Sequence, residues 1–250
     1  MLTTIAICKA VVFPALVAGV LVALLRRSGN PWCLLAAFLS GVLGAFSLNG
    51  SILRNLPAVL PDSQIQAATT GQAWLSGFVD AAIPEEFAKG VWILVFLVGW
   101  RKYSSSHGAL IGGLVGLGFA MRENLSYALT APEWRVMGAF SHAAWGVIMG
   151  SLLQRAVIDS VWCFRAILWA FIPPILLHGL LDASIFLVEA YESKTGLNPS
   201  QSEAPAVLSP GLLSAMLTTF AVDIFSIAWA IRIIRVVRRK PLLASAALTG

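Results

Sequence analysis

Residues 83–89 read IPEEFAK, and they lie inside an apolar segment that extends over residues 74–99. Charged side chains are costly in such a segment, since each costs roughly 2.5 to 3.5 kcal/mol at the centre of a membrane helix even on the mildest scale. Pro84 has no N–H to donate, which leaves the carbonyl of Asp80 free and predicts that the helix opens just before the glutamates. An opened helix is tolerated in a membrane only beside protein or water. The segment therefore predicts a buried polar site within a membrane helix bundle.

The composition of the whole chain supports this class. Of the 250 residues, 58% are hydrophobic and 12% are charged, and the mean hydropathy is +0.82, whereas a soluble domain carries about 25% charged residues. These values exclude a soluble globule and a disordered chain, and three cysteines are too few for a disulfide scaffold. The net charge of +5 is explained by basic links on the inner side of a membrane, so nucleic acid is not expected as a partner.

Seven apolar stretches are long enough to cross a bilayer. They cover residues 4–25, 32–52, 74–99, 108–130, 136–158, 166–189 and 211–234. Eleven basic residues fall on one side of these stretches: Arg26, Arg27, Arg101, Lys102, Arg155, Arg165, Arg232, Arg235, Arg238, Arg239 and Lys240. The other side has Arg54, Arg135 and Lys194. This bias predicts an all-α, polytopic membrane helix bundle of about seven transmembrane helices, with the N-terminus outside and the C-terminus inside.

A single integral membrane domain over residues 1–250, in the cell membrane, is the simplest organisation of these stretches. Beyond residues 83–89, the predicted spans carry Glu123, His142, His178 and Asp182. Counted at about 1.5 Å per residue from the outer ends of the spans, these side chains share one depth between the middle and the outer face of the membrane. We therefore expect the helices at about 74–190 to form one polar chamber that is reached from outside.

Spacing along each helix predicts particular pairs. Glu85 and Lys89 are four residues apart and are expected to pair, with Glu86 turned away from them. His178 and Asp182 are also four apart and follow a break expected at the two prolines before them. Further along the chain, Asp223 has no partner that the sequence identifies.

Three glycines on the fourth stretch, Gly108, Gly112 and Gly116, are four residues apart. Small residues at this spacing allow the backbones of two membrane helices to approach closely. The pattern predicts that another helix packs against the inner half of this stretch.

Glutamate, histidine and aspartate from separate helices suit the activation of water. A carboxylate such as Glu85 can take the proton of water, and an imidazole can donate to the oxyanion that forms when a carbonyl is attacked. The same groups can hold zinc, with His142, His178 and Glu123 as ligands. The cofactor is therefore either none or zinc.

Four motifs in chain order carry a resemblance to a known family. EExxK at residues 85–89, FxxxEN at 119–124, His142, and HxxxD at 178–182 resemble the motifs of the PrsW family of intramembrane proteases, which is related to the CAAX-processing and bacteriocin-processing membrane proteases. The resemblance covers roughly residues 74–190. It implies a multi-pass endopeptidase that cleaves a membrane-anchored protein, such as a single-span anti-sigma factor, near its outer end.

The resemblance also implies roles for individual residues. Glu85 corresponds to the family's water-activating glutamate, and Glu86 and Glu123 to its supporting acids. His178 and Asp182 correspond to its oxyanion or ligand pair.

The chain departs from the CAAX-processing relatives at three positions. These relatives have arginine where Lys89 stands, histidine where Glu123 stands and usually asparagine where Asp182 stands. The departures favour PrsW over prenyl-protein processing. They leave open how the oxyanion is held, because an ionised aspartate cannot donate a hydrogen bond.

Two other classes of function use similar features. A proton- or ion-coupled transporter also needs intramembrane acids and broken helices, but the chain has no detectable repeat. A non-catalytic scaffold resembling the seven-span scaffold subunit of gamma-secretase would lack the acidic motif. The retained glutamates, Glu85, Glu86 and Glu123, favour a protease.

Overall fold

The computed structural model describes residues 2–25, 30–50, 70–99, 106–127, 138–157, 164–195 and 210–246, and every element within these ranges is helical. The elements are α1 (Leu2–Leu25), α2 (Pro31–Gly50), α3 (Thr70–Leu75), a π-helical segment (Ser76–Ala82), α4 (Ile83–Gly99), α5 (His107–Tyr127), α6 (Gly138–Val157), α7 (Phe164–Thr195) and α8 (Pro210–Ala246). Each predicted apolar stretch coincides with one of these helical stretches. The prediction of an all-α class is thus confirmed for the described residues.

The helices differ in how well they could cross a membrane alone. Within the described ranges, one stretch is long and apolar enough, Phe164–Val188 of α7, while α1 and α2 contain the shorter apolar stretches Lys9–Leu25 and Pro31–Ala45. Large apolar side chains are exposed on the outer faces of the helices, as on a surface that lipid or a partner covers. Seven crossings, the outside N-terminus and the single domain stay predictions, and the link residues Arg54 and Arg135 lie outside the described residues.

Helix α5 is the central helix of the bundle. Its residues are buried continuously from His107 to Ala120, and it packs against α1, α2, α4 and α6. A methyl group added at Gly112 would collide with the carbonyl oxygen of Gly146, and one at Gly116 would collide with that of His142. The predicted close approach of two helices at the glycines is therefore the contact between α5 and α6. This contact places His142 beside Gly116 of α5, which lies just under two helical turns before Glu123.

The helix around Pro84 is widened where the sequence predicts an opening. Residues Ser76–Ala82 form π-helix, and the N–H of Ile83 donates to the carbonyl of Phe78, five residues earlier. Regular α-helix resumes directly at Ile83. Because Pro84 has no N–H for the carbonyl of Asp80, the extra residue of a π-turn absorbs the mismatch. The paired glutamates thus begin the first turn of α4.

The break expected at the two prolines of the sixth stretch is absent from the described structure. Pro173 and Pro174 lie inside α7, which runs without interruption from Phe164 to Thr195. Only the carbonyls of Trp169 and Ala170 lose a hydrogen-bond donor there. Neighbouring helices can accommodate such a local loss in a membrane bundle, so His178 and Asp182 remain on one regular helical face.

Candidate active site

The first half of a polar network joins α4 to α7. His178 Nδ1 lies 2.8 Å from Glu86 Oε1, and His178 Nε2 lies 3.1 Å from Asp182 Oδ2. On the other side, Lys89 Nζ donates to Glu86 Oε1 at 2.6 Å. Since both ring nitrogens of His178 face carboxylate oxygens, which only accept when ionised, this geometry favours a cationic imidazole that donates at both ends.

The second half of the network crosses from α4 to α6 and α5. Lys89 Nζ lies 2.8 Å from His142 Nδ1, and His142 Nε2 lies 2.7 Å from Glu123 Oε2. An ammonium group has donors and no acceptor. His142 therefore accepts from Lys89 at Nδ1 and donates its proton from Nε2 to Glu123. The two halves form one continuous chain of contacts through four helices.

Glu85 lies beside this chain without a direct hydrogen bond. Its Oε2 atom is 3.7 Å from His178 Nε2 and 3.8 Å from Lys89 Nζ. This oxygen is buried and has no hydrogen-bond partner among the described residues. The predicted pairing of Glu85 with Lys89 is present at 3.8 Å. The expectation that Glu86 is turned away from them is wrong, because the buried Glu86, one residue nearer to the lysine along the chain, contacts the ammonium directly at 2.6 Å. Glu85 therefore has longer contacts with Lys89 and His178 than Glu86 has.

Two aromatic rings enclose the charged groups. The ammonium of Lys89 lies 4.3 Å from the centroid of the Phe119 ring. The ring of Trp145 stacks on His178, with centroids 4.4 Å apart and an interplanar angle of 20°. The Trp145 indole N–H donates to Ser226 Oγ at 3.1 Å. Cations are stabilised over aromatic faces, so these contacts hold the lysine and the histidine in place.

A cavity of about 50 Å³ opens against the network, large enough for a few water molecules. Its lining residues come from α5, α6, α7 and α8: Glu123, Asn124, Gly138, Ser141, His142, Trp145, His178, Leu181, Asp182, Ile185, Thr219 and Asp223. Asp223, which has no partner identifiable from the sequence, accepts a hydrogen bond from the hydroxyl of Ser141. Helix α8 thus supplies one wall of the cavity.

The structure brings all six sequence-predicted site residues together. Glu85 and Glu86 come from α4, Glu123 from α5, His142 from α6, and His178 and Asp182 from α7. Four of the six line the cavity, whereas Glu85 and Glu86 are not among its lining residues; a chamber reached from outside stays a prediction. The assignment of catalytic roles to these residues stays a prediction.

Four polar or aromatic residues at the site were assigned no role from the sequence. Asn124, Ser141, Trp145 and Thr219 all line the cavity. Position relative to the motifs could have indicated the first three, because Asn124 and Ser141 adjoin Glu123 and His142, and Trp145 lies one turn beyond His142. Thr219 lies on α8, far along the chain from every motif, and no local signal identifies it.

Three of these side chains could bind a metal by residue type. Glu85, His142 and His178 each offer a ligand atom, and these atoms all lie within 4.8 Å of one another. Histidine and carboxylate are common zinc ligands. The carboxylate of this cluster is Glu85, whereas the sequence predicted Glu123 as the third ligand.

The protonation imposed by the neighbouring groups does not suit this donor set. Because Nε2 donates to Glu123, the lone pair of His142 that could bind a metal is on Nδ1. The ammonium of Lys89 lies 2.8 Å from that nitrogen, in the place that a metal would need. The residues therefore fit a metal by type but not by their present hydrogen bonds, and no step of the reaction below passes through a metal.

Helices with exposed apolar faces around a buried network of carboxylates and imidazoles are typical of a membrane-embedded enzyme or transporter. A sequence model of the PrsW family, described as intramembrane metalloproteases, matches residues 29–197, which is more than half of the chain. The chain belongs to the PrsW family. The predicted family is confirmed, and with it a membrane protein that is a protease.

Three relatives are similar over comparable regions, and each is named Protease PrsW. The protein of Geobacillus kaustophilus is 32% identical over 65% of this chain and 71% of its own length. Those of Oceanobacillus iheyensis and Halalkalibacterium halodurans are 30% and 28% identical, over 55% and 56% of this chain and 67% and 68% of their own lengths. No solved structure is a significant match to the chain. The family favours a protease over the transporter and scaffold alternatives.

Proposed function

We propose that the protein is a multi-pass endopeptidase of the cell membrane that cleaves a membrane-anchored, single-span protein with water activated by Glu85. One observation carries the proposal. The Glu85 Oε2 atom is buried and has no hydrogen-bond partner in the described part of the chain, yet two cationic groups lie 3.7 and 3.8 Å from it. Contacts at this distance leave the oxygen free to accept from a water molecule. Glu85 is thus the carboxylate available to act as a base.

The first step adds water to the peptide carbonyl. Glu85 accepts one proton from water while the water oxygen forms a bond to the carbonyl carbon, and the carbonyl oxygen becomes an oxyanion. His178, whose ring is held by Glu86 and Asp182, provides a nearby positive charge that stabilises this oxyanion. The histidine keeps its protons during this step.

The second step breaks the carbon–nitrogen bond. The oxyanion reforms a carbonyl, the bond to the nitrogen breaks, and the protonated Glu85 gives its proton to the departing amine. The products are a carboxylic acid and an amine, and Glu85 is again ionised. Each atom of the added water is thereby accounted for.

The remaining acids of the network act as positioning residues. Glu86 Oε2 is likewise buried without a hydrogen-bond partner among the described residues, but Glu86 Oε1 binds both Lys89 and His178. The Glu86 side chain is also 0% exposed, against 21% for Glu85, so it is less accessible to water and a poorer base. Glu123 accepts from His142 and so fixes the orientation of that ring. These roles follow from the number of partners that each carboxylate already has.

The proposed substrate is a membrane-anchored protein such as a single-span anti-sigma factor, with the lipid bilayer as the surrounding medium and no nucleic acid partner. A cavity next to buried acids suits a peptide bond delivered from within or beside a membrane. The family resemblance supports this substrate class, and the apolar exterior of the helices supports the lipid contact.

The test is the conservative change Glu85→Gln, which keeps size and removes the base. We expect cleavage of a co-expressed single-span anti-sigma factor to fall at least about 100-fold, the usual range for loss of a general base, while the variant remains in the membrane fraction. Immunoblotting of the full-length and shortened substrate measures the loss.

Asp80→Asn is a matched control, since Asp80 is an exposed carboxylate one turn earlier on the same helix. We expect this control to cleave at the rate of the unmodified protein. Undiminished cleavage by the Glu85→Gln variant would remove Glu85 from the mechanism.

A further inference from the structure

Asn124 has a buried side-chain amide whose N–H donor lacks a hydrogen-bond partner among the described residues. Its side chain is 7% exposed, and it lines the cavity beside Glu123. The Nδ2 atom is buried and has no hydrogen-bond partner among the described residues. Buried donors in native proteins are nearly always paired, and each exception calls for an explanation. A ligand in the cavity provides one.

The chemistry of the cavity wall indicates what kind of ligand would pair with this amide. Three carboxylates face the same space, those of Glu123, Asp182 and Asp223, and an ionised carboxylate can only accept. These groups suit the N–H groups of a bound peptide but repel its carbonyl oxygens. Asn124 offers a neutral donor beside them, and a carbonyl oxygen is the acceptor that a peptide provides.

We propose that Asn124 binds the carbonyl oxygen of the scissile peptide bond and stabilises the oxyanion formed there. The inference rests on the proposed function. When water adds, the Nδ2–H group shortens its hydrogen bond to the developing oxyanion without giving up a proton. When the carbon–nitrogen bond breaks, the oxygen returns to a carbonyl and the bond relaxes. Asn124 is thus a catalytic residue. It supplies the hydrogen-bond donor that the ionised Asp182 cannot supply.

This role has a consequence for stability that a structural role does not share. An unpaired buried donor weakens the folded protein, and removing it relieves that weakness. A structural asparagine would instead lose stabilising hydrogen bonds when truncated. The two roles therefore predict opposite shifts in the thermal unfolding midpoint.

The experiment uses the full chain, purified in detergent, with a purified single-span anti-sigma factor that the unmodified protein cleaves. Asn124→Ala removes the donor, and Asn124→Asp keeps the shape while replacing the donor with an acceptor. We expect kcat to fall about 100-fold or more in both variants, as when one oxyanion donor is removed, with KM changed less than about threefold. We expect the unfolding midpoint of Asn124→Ala to equal or exceed that of the unmodified protein. Leu125→Ala, a change at the exposed side chain that directly follows Asn124, should leave both quantities unchanged.

Three results would overturn the inference: unchanged kcat in both variants, a higher KM with unchanged kcat, or an unfolding midpoint that falls in both variants together with kcat. Glu85→Gln is measured in parallel. If it is inactive while both Asn124 variants cleave at the full rate, the role of Asn124 fails and the proposed function stands. If Glu85→Gln cleaves normally, the proposed function itself fails.

Discussion

Lys89 is the residue on which both halves of the polar network depend. Its ammonium lies 2.6 Å from Glu86 Oε1 and 2.8 Å from His142 Nδ1, and the Glu86 side chain is 0% exposed. Removing one partner of a buried ion pair costs about 3–5 kcal/mol, because it leaves an uncompensated charge. We expect Lys89→Met to lower the free energy of unfolding by about this amount, as measured by denaturant unfolding in detergent micelles.

The matched control removes the opposite charge as well. In the double variant Lys89→Met with Glu86→Gln, no ionised carboxylate remains at position 86, so most of the lost stability should return. A double variant no more stable than Lys89→Met alone would show that the pair does not carry the effect.

The tautomer of His142 leads to a prediction about metal ions. Because its Nδ1 accepts from Lys89 and its Nε2 donates to Glu123, neither nitrogen is free to bind a cation. We expect cleavage of the anti-sigma factor by the purified protein to survive prolonged dialysis against a strong chelator. Inactivation that added zinc reverses would contradict this and would favour a cluster of Glu85, His142 and His178 as metal ligands.

At the scale of elements, the contact between α5 and α6 sets the position of His142. A methyl group at Gly112 would meet the carbonyl oxygen of Gly146, which is backbone and cannot turn aside. We expect Gly112→Ala to force the two helices apart, at a cost of about 1–3 kcal/mol or more, and to reduce cleavage. Thermal unfolding in detergent and the cleavage assay measure the two effects.

Gly19→Ala is the control for this change, because a methyl group at Gly19 of α1 would meet no atom within 4 Å. We expect its unfolding temperature and its activity to match those of the unmodified protein. Equal behaviour of the two variants would mean that the close approach of α5 and α6 is not required.

The sequence predicted the helical elements well because each is a long and mainly apolar run, and it predicted side-chain partners less well. The four-residue spacing predicted the pair of Glu85 and Lys89, which is present at 3.8 Å. It did not predict that Glu86, three residues from Lys89 and fully buried, lies closer at 2.6 Å. The partner of Asp223 could not be predicted, because Ser141 is 82 residues earlier and only packing of α6 against α8 brings the two together. The break predicted at the double proline of α7 does not occur, because a helix held by its neighbours can lose two hydrogen-bond donors and continue.

For the whole molecule, the distribution of basic residues predicts on which side of the membrane each terminus lies. Five of the eleven basic residues predicted to lie inside are at or beyond the end of the last apolar stretch: Arg232, Arg235, Arg238, Arg239 and Lys240. We expect a fluorescent protein fused after residue 250 to fluoresce in the bacterial cytoplasm and an alkaline phosphatase fused there to be inactive. The opposite pair of results would reverse the orientation and would place the polar chamber nearer the inner face.

Helix α8 begins beyond the region matched to the PrsW family, which ends at residue 197. It nevertheless contributes Thr219 and Asp223 to the cavity. The shape of the space offered to a ligand therefore depends partly on residues outside the region that carries the glutamates and histidines of α4 to α7.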